Sequence, residues 1–133
     1  MPGGNAEAYT HIKPIFEAVS AKFNGEPCVA HLGPKSAGNY VKMVHNGIEY
    51  GLMQLTSEIY ALLKKSVGLD NDELHQVYDL WNKGRLQSFL VEITAEIFKQ
   101  EDDLGDGRLV DMILDKAKQK GTGKWTSQNA MDL

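Results

Sequence analysis

The stretch that decides the fold of this chain is Val41-Lys42-Met43-Val44-His45-Asn46-Gly47-Ile48-Glu49-Tyr50-Gly51. Its apolar residues recur at the spacing of one face of an α-helix, which Leu55 continues: Val41, Val44, Ile48 and Leu55. Residues at i, i+3, i+4 and i+7 form a second, polar stripe, which consists of Lys42, His45, Asn46 and Glu49. The stretch therefore predicts a helix that presents a base, an imidazole, an amide and a carboxylate together.

Two glycines, Gly47 and Gly51, fall inside this predicted helix. Each costs about 1 kcal/mol relative to alanine, a cost that is explained if another segment packs closely against the backbone. The polar stripe also has a plainer interpretation, as the solvated face of an amphipathic helix. Three following apolar residues, Leu52, Met53 and Ile59, favour a helix that is covered on several sides. Such covering would bury part of the stripe and shift its pKa values.

Length and composition predict a cytoplasmic protein with one domain, or with one domain and a piece of another. The net charge of −4 over 133 residues gives no indication of nucleic-acid binding. A single cysteine, Cys28, excludes an intramolecular disulfide and is typical of a reducing compartment. The N-terminus lacks the pattern of a signal peptide, and no apolar run approaches the roughly 20 residues of a membrane span, so no membrane association is expected.

The residues before the long helix predict one helix and one strand. Helical spacing extends over residues 6–23 with Pro14 as an internal flaw, and Asn24-Gly25 marks a turn. Residues 27–32 are partly β-prone and predict a single strand. Because a strand needs neighbours, this one pairs with another molecule or is the last strand of a sheet whose other strands are absent.

After Gly33 the chain is predicted to be entirely helical. The predicted helices share a 3.6-residue apolar period and span residues 37–67, 71–83, 88–101 and 109–119. Ser36 and Ser88 are candidate N-caps, and Gly68 closes the first helix. The predicted fold class is therefore mostly α, a helical bundle built on one long central helix.

Two glycine-containing segments are candidate ligand-binding sites. The acidic segment 101–107 resembles a calcium loop, but no glutamate stands at the required distance, and a solvated turn without a metal is expected. In Lys120-Gly121-Thr122-Gly123-Lys124-Trp125-Thr126, glycines, lysines and hydroxyls together can hold an anion. It is not a Walker A loop, and its plainer interpretation is a basic turn that ends a helix, with Thr126 capping a short further one.

Residues 40–51 and 120–126 together resemble 6-phosphogluconate dehydrogenase, the decarboxylating enzyme of the pentose phosphate pathway. Shorter segments resemble it as well, at residues 1–4, 25–28, 81–83 and 88–94. The resemblance extends over essentially the whole chain. It implies oxidative decarboxylation of 6-phosphogluconate to ribulose 5-phosphate with NADP as the coenzyme, in a homodimer.

The resemblance also implies roles for individual residues. Lys42 matches the general base, later acid, that acts on the C3 hydroxyl, and Glu49 matches the acid that protonates C1 of the enediol. These roles require a lysine and a glutamate whose proton affinities are shifted in opposite directions. Such a pair on one helix face lies about 10 Å apart along the axis.

The remaining matches concern binding. His45 and Asn46 match residues that hold the substrate, and Asn46 also faces the nicotinamide. Tyr50, Lys120 and Thr122 match ligands of the substrate phosphate.

This sequence departs from the family pattern in several places. No G-x-G-x-x-G follows a strand, so the NADP site is expected to lie mostly outside this chain. Ser36, Asn39 and Leu52 stand where the family usually has Gly, His and Asp. We therefore expect an internal piece of the enzyme, inactive alone. Its residues 1–33 would be the last helix and strand of a Rossmann-type coenzyme domain, and 34–133 the start of the all-α domain.

Two alternatives remain open from the sequence. The chain is a non-catalytic helical module that assembles with a partner through its apolar surfaces. Alternatively, it belongs to a sibling β-hydroxyacid dehydrogenase, although the cationic segment 120–126 favours a phosphorylated substrate.

Overall fold

The computed structural model describes residues 1–118 and 120–133, and in this part of the chain it is mostly helical. The helices are α1 Ala6–Val19, α2 Ala37–Leu62, α3 Asn71–Asn82, α4 Phe89–Lys99, α5 Leu109–Met112 and α6 Thr122–Asp132. Two short strands, β1 Lys22–Phe23 and β2 Glu26–Pro27, lie between α1 and α2. The predicted mostly α fold with one long helix is confirmed.

The chain divides into two compact units. The first comprises Met1–Tyr50 and Gln119–Leu133, and the second comprises Gly51–Lys118. Helix α2 is continuous across the division. None of the described helices is both long enough and apolar enough to cross a bilayer.

In the first unit, α1 begins at Asn5, whose Oδ1 accepts a hydrogen bond from the backbone N–H of Ala8 at 2.8 Å. This side-chain cap satisfies one of the free N–H groups at the helix start. The helix tolerates Pro14 but ends at Val19, four residues before the predicted end. It ends there because Lys22 and Phe23 belong to a hairpin instead.

The predicted strand over residues 27–32 is wrong. The strand pairing in this region is antiparallel, between two-residue strands joined by Asn24 and Gly25, both with positive φ. Beyond Pro27 the backbone finds scattered partners: Cys28 N–H donates to Ala21 O, and Leu32 N–H donates to Pro2 O. β-prone side chains make a strand only where a neighbour runs alongside, and none does here.

In the second unit, α2 is extended by one π-helical turn, Leu63–Val67. Gly68 then ends the helix in the left-handed conformation with φ 86°, and its N–H donates to Leu63 O at 3.0 Å. A glycine adopts this conformation without steric cost. The predicted long helix over residues 37–67 and its glycine stop are confirmed.

The core of the second unit lies between α3 and α4. Asp70 and Glu73 form a capping box at the start of α3, and Ser88 caps α4. The buried apolar side chains of this core are Leu74 and Tyr78 of α3 and Ala95 and Phe98 of α4. Burial raises the pKa of the Tyr78 hydroxyl, which donates to Thr56 O at 3.2 Å.

The predicted helix over residues 109–119 is wrong beyond its first turn. Helix α5 ends at Met112, and residues 113–118 are not helical, whereas residue 119 lies outside the described residues. A short helix depends on burial of its apolar face. Ile113 and Leu114 are 62% and 76% exposed, so no such burial supports a longer helix.

The expectation that α2 is covered on several sides is also wrong for this chain. Ile48, Leu52 and Leu55 are each at least half exposed. In the first unit, α2 packs closely against α6 and, at Gly38, against the N-terminal residues Met1 and Gly3.

Candidate active site

The four residues of the polar stripe lie on α2, as the sequence predicts. Asn46 and Glu49 are half-buried, whereas Lys42 and His45 are exposed. Part of the stripe is therefore withdrawn from solvent within this chain. Among the described residues, Lys42 has no hydrogen-bond or ion-pair partner through its ammonium group.

His45 connects the two acceptors of the stripe. Its Nδ1 lies 3.7 Å from Glu49 Oε2 and 3.3 Å from Asn46 Oδ1. In the tautomer with a hydrogen on Nδ1, His45 donates to Asn46 Oδ1, while Glu49 lies at ion-pair distance. The imidazole therefore orients the carboxylate and the amide on one helix face.

Helix α6 runs along α2 in the antiparallel direction. Side chains of the two segments form hydrogen bonds in opposite chain order: Tyr40 Oη to Asn129 Oδ1 at 2.7 Å, Thr126 Oγ1 to Met43 O at 2.7 Å, Asn46 Nδ2 to Thr122 Oγ1 at 3.0 Å and Lys120 N to Tyr50 Oη at 3.4 Å. This direction brings the N-terminus of α6 to the level of Asn46 and Tyr50. The two sequence motifs thus lie against each other.

Two glycines allow this approach, one on each helix. A Cβ on Gly47 would lie 2.6 Å from the Thr126 Cβ, and one on Gly123 would lie 2.5 Å from Tyr50 Cδ2. Each helix therefore inserts a side chain against a glycine of the other. The prediction of close packing is confirmed at Gly47, whereas Gly51 has no such neighbour within 4 Å.

The interpretation of segment 120–126 as a turn that ends a helix is wrong. It begins one: Gly121, with φ 108°, precedes α6, and Thr122 is the first residue of an 11-residue helix. Glycine permits the abrupt start, because its positive φ is unfavourable for other residues. Trp125 N–H makes the first intrahelical bond, to Gly121 O. The preceding N–H groups point out of the helix and, with the helix dipole, favour an anion.

The structure brings together six of the seven predicted site residues through direct contacts. These are His45, Asn46, Glu49, Tyr50, Lys120 and Thr122. Lys120 takes part through its backbone N–H, which leaves its ammonium group for a ligand. Lys42 lies one helical turn before Asn46, at the other end of the same stripe.

Sequence reasoning missed the residues that hold the two helices together. The sequence predicts Thr126 as an anion-binding hydroxyl or a helix cap and Gly123 as a position where the backbone approaches a ligand, whereas both pack against α2. The spacing of Gly123 one residue after Thr122 becomes informative only once α6 is known to be a helix. No group of three or more His, Cys, Asp or Glu side chains is arranged to hold a metal within residues 1–118 and 120–133.

Comparisons with known proteins found a matching family model and similar sequences. The family model described as 6-phosphogluconate dehydrogenase, C-terminal domain, matches residues 38–133. The NADP(+)-dependent, decarboxylating 6-phosphogluconate dehydrogenase of Bacillus subtilis (strain 168) is 63% identical over 133 residues, all of this chain and 28% of that protein. The decarboxylating enzyme of Lactococcus lactis subsp. cremoris is 58% identical over 135 residues, covering 100% of this chain and 29% of its own length.

A solved structure shares the fold as well. Plasmodium falciparum 6-phosphogluconate dehydrogenase, determined in its apo form, with NADP+ and with 6-phosphogluconate, has a TM-score of 0.87 and 55% identity. The match covers 99% of this chain and 28% of that one. The chain thus spans little more than a quarter of the length of the relatives it matches.

Proposed function

We propose, from the premise that this chain belongs to the 6-phosphogluconate dehydrogenase family, that it provides substrate-binding and proton-transfer residues for that family's reaction. The reaction is the oxidative decarboxylation of 6-phosphogluconate to ribulose 5-phosphate and CO2 with reduction of NADP, in the cytoplasm. The observation that carries the proposal is the hydrogen bond from Asn46 to Thr122, which joins the two motifs that resemble this family.

The residues of this chain are proposed to bind the substrate, whereas most of the coenzyme site is not among them. A dinucleotide is held at the carboxyl ends of parallel strands, next to a glycine-rich turn. The strands in the described part of this chain are antiparallel and two residues long, so they do not fit NADP. We assign only a nicotinamide contact, to Asn46, and propose that the coenzyme is otherwise bound outside this chain.

Lys42 is proposed to take the proton of the C3 hydroxyl and to return it to the C3 oxygen as CO2 leaves. Protonation of that oxygen neutralises the charge that builds up when the carboxylate carbon departs. A lysine acts as a base near neutral pH where its surroundings remove water from it. Because Lys42 is exposed in this chain, the bound substrate and coenzyme must supply that covering.

Glu49 is proposed to donate a proton to C1 of the enediol that remains. Its side chain is half-buried within this chain, and bound substrate is proposed to cover it further. His45, 3.7 Å away, holds the carboxyl group in place and contributes to substrate binding. Glu49 therefore lies two turns after Lys42 along α2, at the end of the stripe where α6 begins.

The phosphate of the substrate is proposed to bind where α6 begins. The N–H groups of the first turn, the hydroxyls of Thr122 and Tyr50 and the ammonium of Lys120 are the donors there. Charge-assisted bonds of this kind are about twice as strong as neutral ones. The sugar carbons of the bound substrate are proposed to lie over the polar stripe, within reach of both Lys42 and Glu49.

We also propose that the chain functions in a homodimer. The support is the exposed apolar side of the part of α2 that belongs to the second unit, where Leu52 is 50% and Leu55 is 56% exposed. A contiguous exposed apolar surface marks an interaction site. Analytical ultracentrifugation tests this part, and a monomer at all concentrations would contradict it.

The test of the proposed function is a nuclear magnetic resonance titration of the 15N-labelled chain. 6-Phosphogluconate is expected to bind weakly and to shift the amide signals of Thr122, Gly123 and Lys124. Gluconate, which lacks the phosphate, is the matched control and is expected to leave these signals in place. NADP is expected not to bind measurably. Equal shifts from both sugar acids, or shifts confined to other residues, would contradict the phosphate site.

A further inference from the structure

The hydroxyl of Thr126 makes the shortest side-chain contact between α6 and the backbone of α2. It lies 2.7 Å from Met43 O and 3.1 Å from Thr122 O, one turn earlier in its own helix. A hydroxyl carries one hydrogen, so it donates fully to one carbonyl at a time. The shorter contact identifies Met43 O as the main acceptor. Thr126 thus binds α6 to the turn of α2 that carries Lys42 and Asn46.

The same residue fills the space that Gly47 leaves open. The Thr126 Cβ, Cγ2 and Oγ1 would all lie within 2.7 Å of a Cβ at position 47. Because Gly47 has no side chain, Thr126 packs directly against the backbone of α2, which blocks a displacement of α6 toward α2. Movement away breaks the bond to Met43. The residue therefore fixes the separation of the helices in both directions.

We propose that Thr126 is a positioning residue that sets the location of the α6 N-terminus relative to the polar stripe. The inference rests on the proposed function, because it concerns how a phosphorylated sugar acid is held at both ends. Thr126 touches neither end of such a ligand. On α6 it fixes the position of Thr122, which lies one turn before it. On α2 its partner Met43 lies about one turn before Asn46.

A ligand that bridges the two helices is sensitive to their separation. The phosphate end depends on α6, whereas the hydroxyl and carboxylate end depends on the stripe of α2. Small displacements of binding groups have large effects on such a ligand, because its ends cannot both remain in contact. Inorganic phosphate contacts only the α6 end and Tyr50, so its binding depends less on the separation.

The test compares four variants of the 133-residue chain in titrations with 6-phosphogluconate and with inorganic phosphate. Thr126→Val removes the hydroxyl with little change of shape, and Thr126→Ser retains it. Ser127→Ala is the matched control, because Ser127 Oγ donates only within α6, to Gly123 O at 3.4 Å.

Thr126→Val is expected to weaken 6-phosphogluconate binding about fivefold, the effect of losing one neutral hydrogen bond. Inorganic phosphate binding is expected to change less than twofold. Thr126→Ser and Ser127→Ala are both expected to bind 6-phosphogluconate within twofold of the unmodified chain. Thr126→Ala is a second variant without the hydroxyl, and it adds no carbon atom against Met43 O. It is also expected to weaken 6-phosphogluconate binding about fivefold and inorganic phosphate binding less than twofold.

The outcomes separate this inference from the function on which it rests. If the unmodified chain fails to bind 6-phosphogluconate, the proposed phosphate site is wrong. If the unmodified chain binds but the variants without the hydroxyl bind 6-phosphogluconate equally well, Thr126 has no positioning role. Equal weakening for both ligands would also overturn the inference, since it would indicate a general loss of structure.

Discussion

The side-chain amide of Asn46 donates to the hydroxyl of Thr122 at 3.0 Å, across 76 residues of sequence. Asn46 lies on the polar stripe of α2, and Thr122 is the first residue of α6. The bond is half-buried, so water competes with it only in part. It links the helix proposed to carry the proton-transfer groups with the helix start proposed to bind phosphate.

Substitution Asn46→Ala is expected to lower the free energy of unfolding by about 1 kcal/mol, the net value of one neutral hydrogen bond. Urea denaturation of the chain followed by circular dichroism measures this change. Gln54→Ala is the matched control, because Gln54 forms an exposed bond within α2, to Glu58 at 3.0 Å. The control is expected to change stability by less than about 0.5 kcal/mol. Equal losses would contradict a special role for the link to α6.

The two glycines of α2 are expected to respond in opposite directions to alanine. Gly51→Ala adds a methyl group where nothing lies within 4 Å and is expected to stabilise the chain by up to about 1 kcal/mol through helix propensity. Gly47→Ala has the same propensity gain, but its methyl group would lie 2.6 Å from Thr126. Overpacking of this kind costs about 1–3 kcal/mol, so a net loss of stability is expected.

The same denaturation measurement distinguishes the two variants. A stabilised Gly47→Ala chain would show that α6 does not lie against this glycine. A destabilised Gly51→Ala chain would show that the exposed side of α2 is covered in solution.

Sequence periodicity predicted the elements whose stabilising interactions are local or repeated. The long helix 37–67 and helices α3 and α4 carry their own caps and glycine stops, such as the Asp70 capping box and Gly68. These signals act within a few residues, so a pattern in the sequence is sufficient to find them.

The errors occurred where structure depends on distant partners. A strand was predicted at residues 27–32 from β-prone side chains, but strand formation depends on a neighbouring strand that the described residues lack. The start of α6 at Thr122 was missed because its support comes from Asn46, Gly47 and Tyr50 on another helix. The candidate site residues came from the resemblance to a family. The helical spacing of Lys42, His45, Asn46 and Glu49 is equally consistent with the solvated face of an amphipathic helix.

Acid is expected to weaken the contribution of Asp79 to stability. A hydrogen bond from Lys83 at 2.5 Å is the main cause that lowers the pKa of Asp79 below its ordinary value of 3.8. Since the folded chain holds this carboxylate more strongly in its ionised form, its contribution is complete above pH 3.8. That contribution is lost as the pH falls through the lowered pKa.

Denaturation curves of the chain and of Asp79→Asn between pH 6 and pH 2 test this expectation, where the pH limits are roughly those that bracket the titration of a carboxyl group. The unmodified chain is expected to be the more stable at pH 6, and the difference is expected to shrink below pH 3.8. Lys83→Met is expected to reproduce the behaviour of Asp79→Asn. A difference that grows toward low pH would contradict the sign of the pKa shift.

Substitutions of Lys42 and of Glu49 are expected to slow different steps of the reaction. A chimeric enzyme, in which these 133 residues substitute for the matching segment of the Bacillus subtilis relative, allows the steps to be measured. Lys42→Met removes the proposed base of the first step, so NADPH formation is expected to fall by about 10²–10⁴. Glu49→Gln keeps the size of the side chain but cannot donate the final proton. It is expected to leave a single-turnover burst of NADPH and to slow later turnovers by a similar factor, because the enediol then waits for a proton.

Lys65→Met and Glu58→Gln, exposed positions further along the same helix, are the controls and are expected to retain activity within about twofold. Equal, small losses from all four substitutions would assign Lys42 and Glu49 to the solvated surface of α2 and leave a helical scaffold without its proposed chemistry.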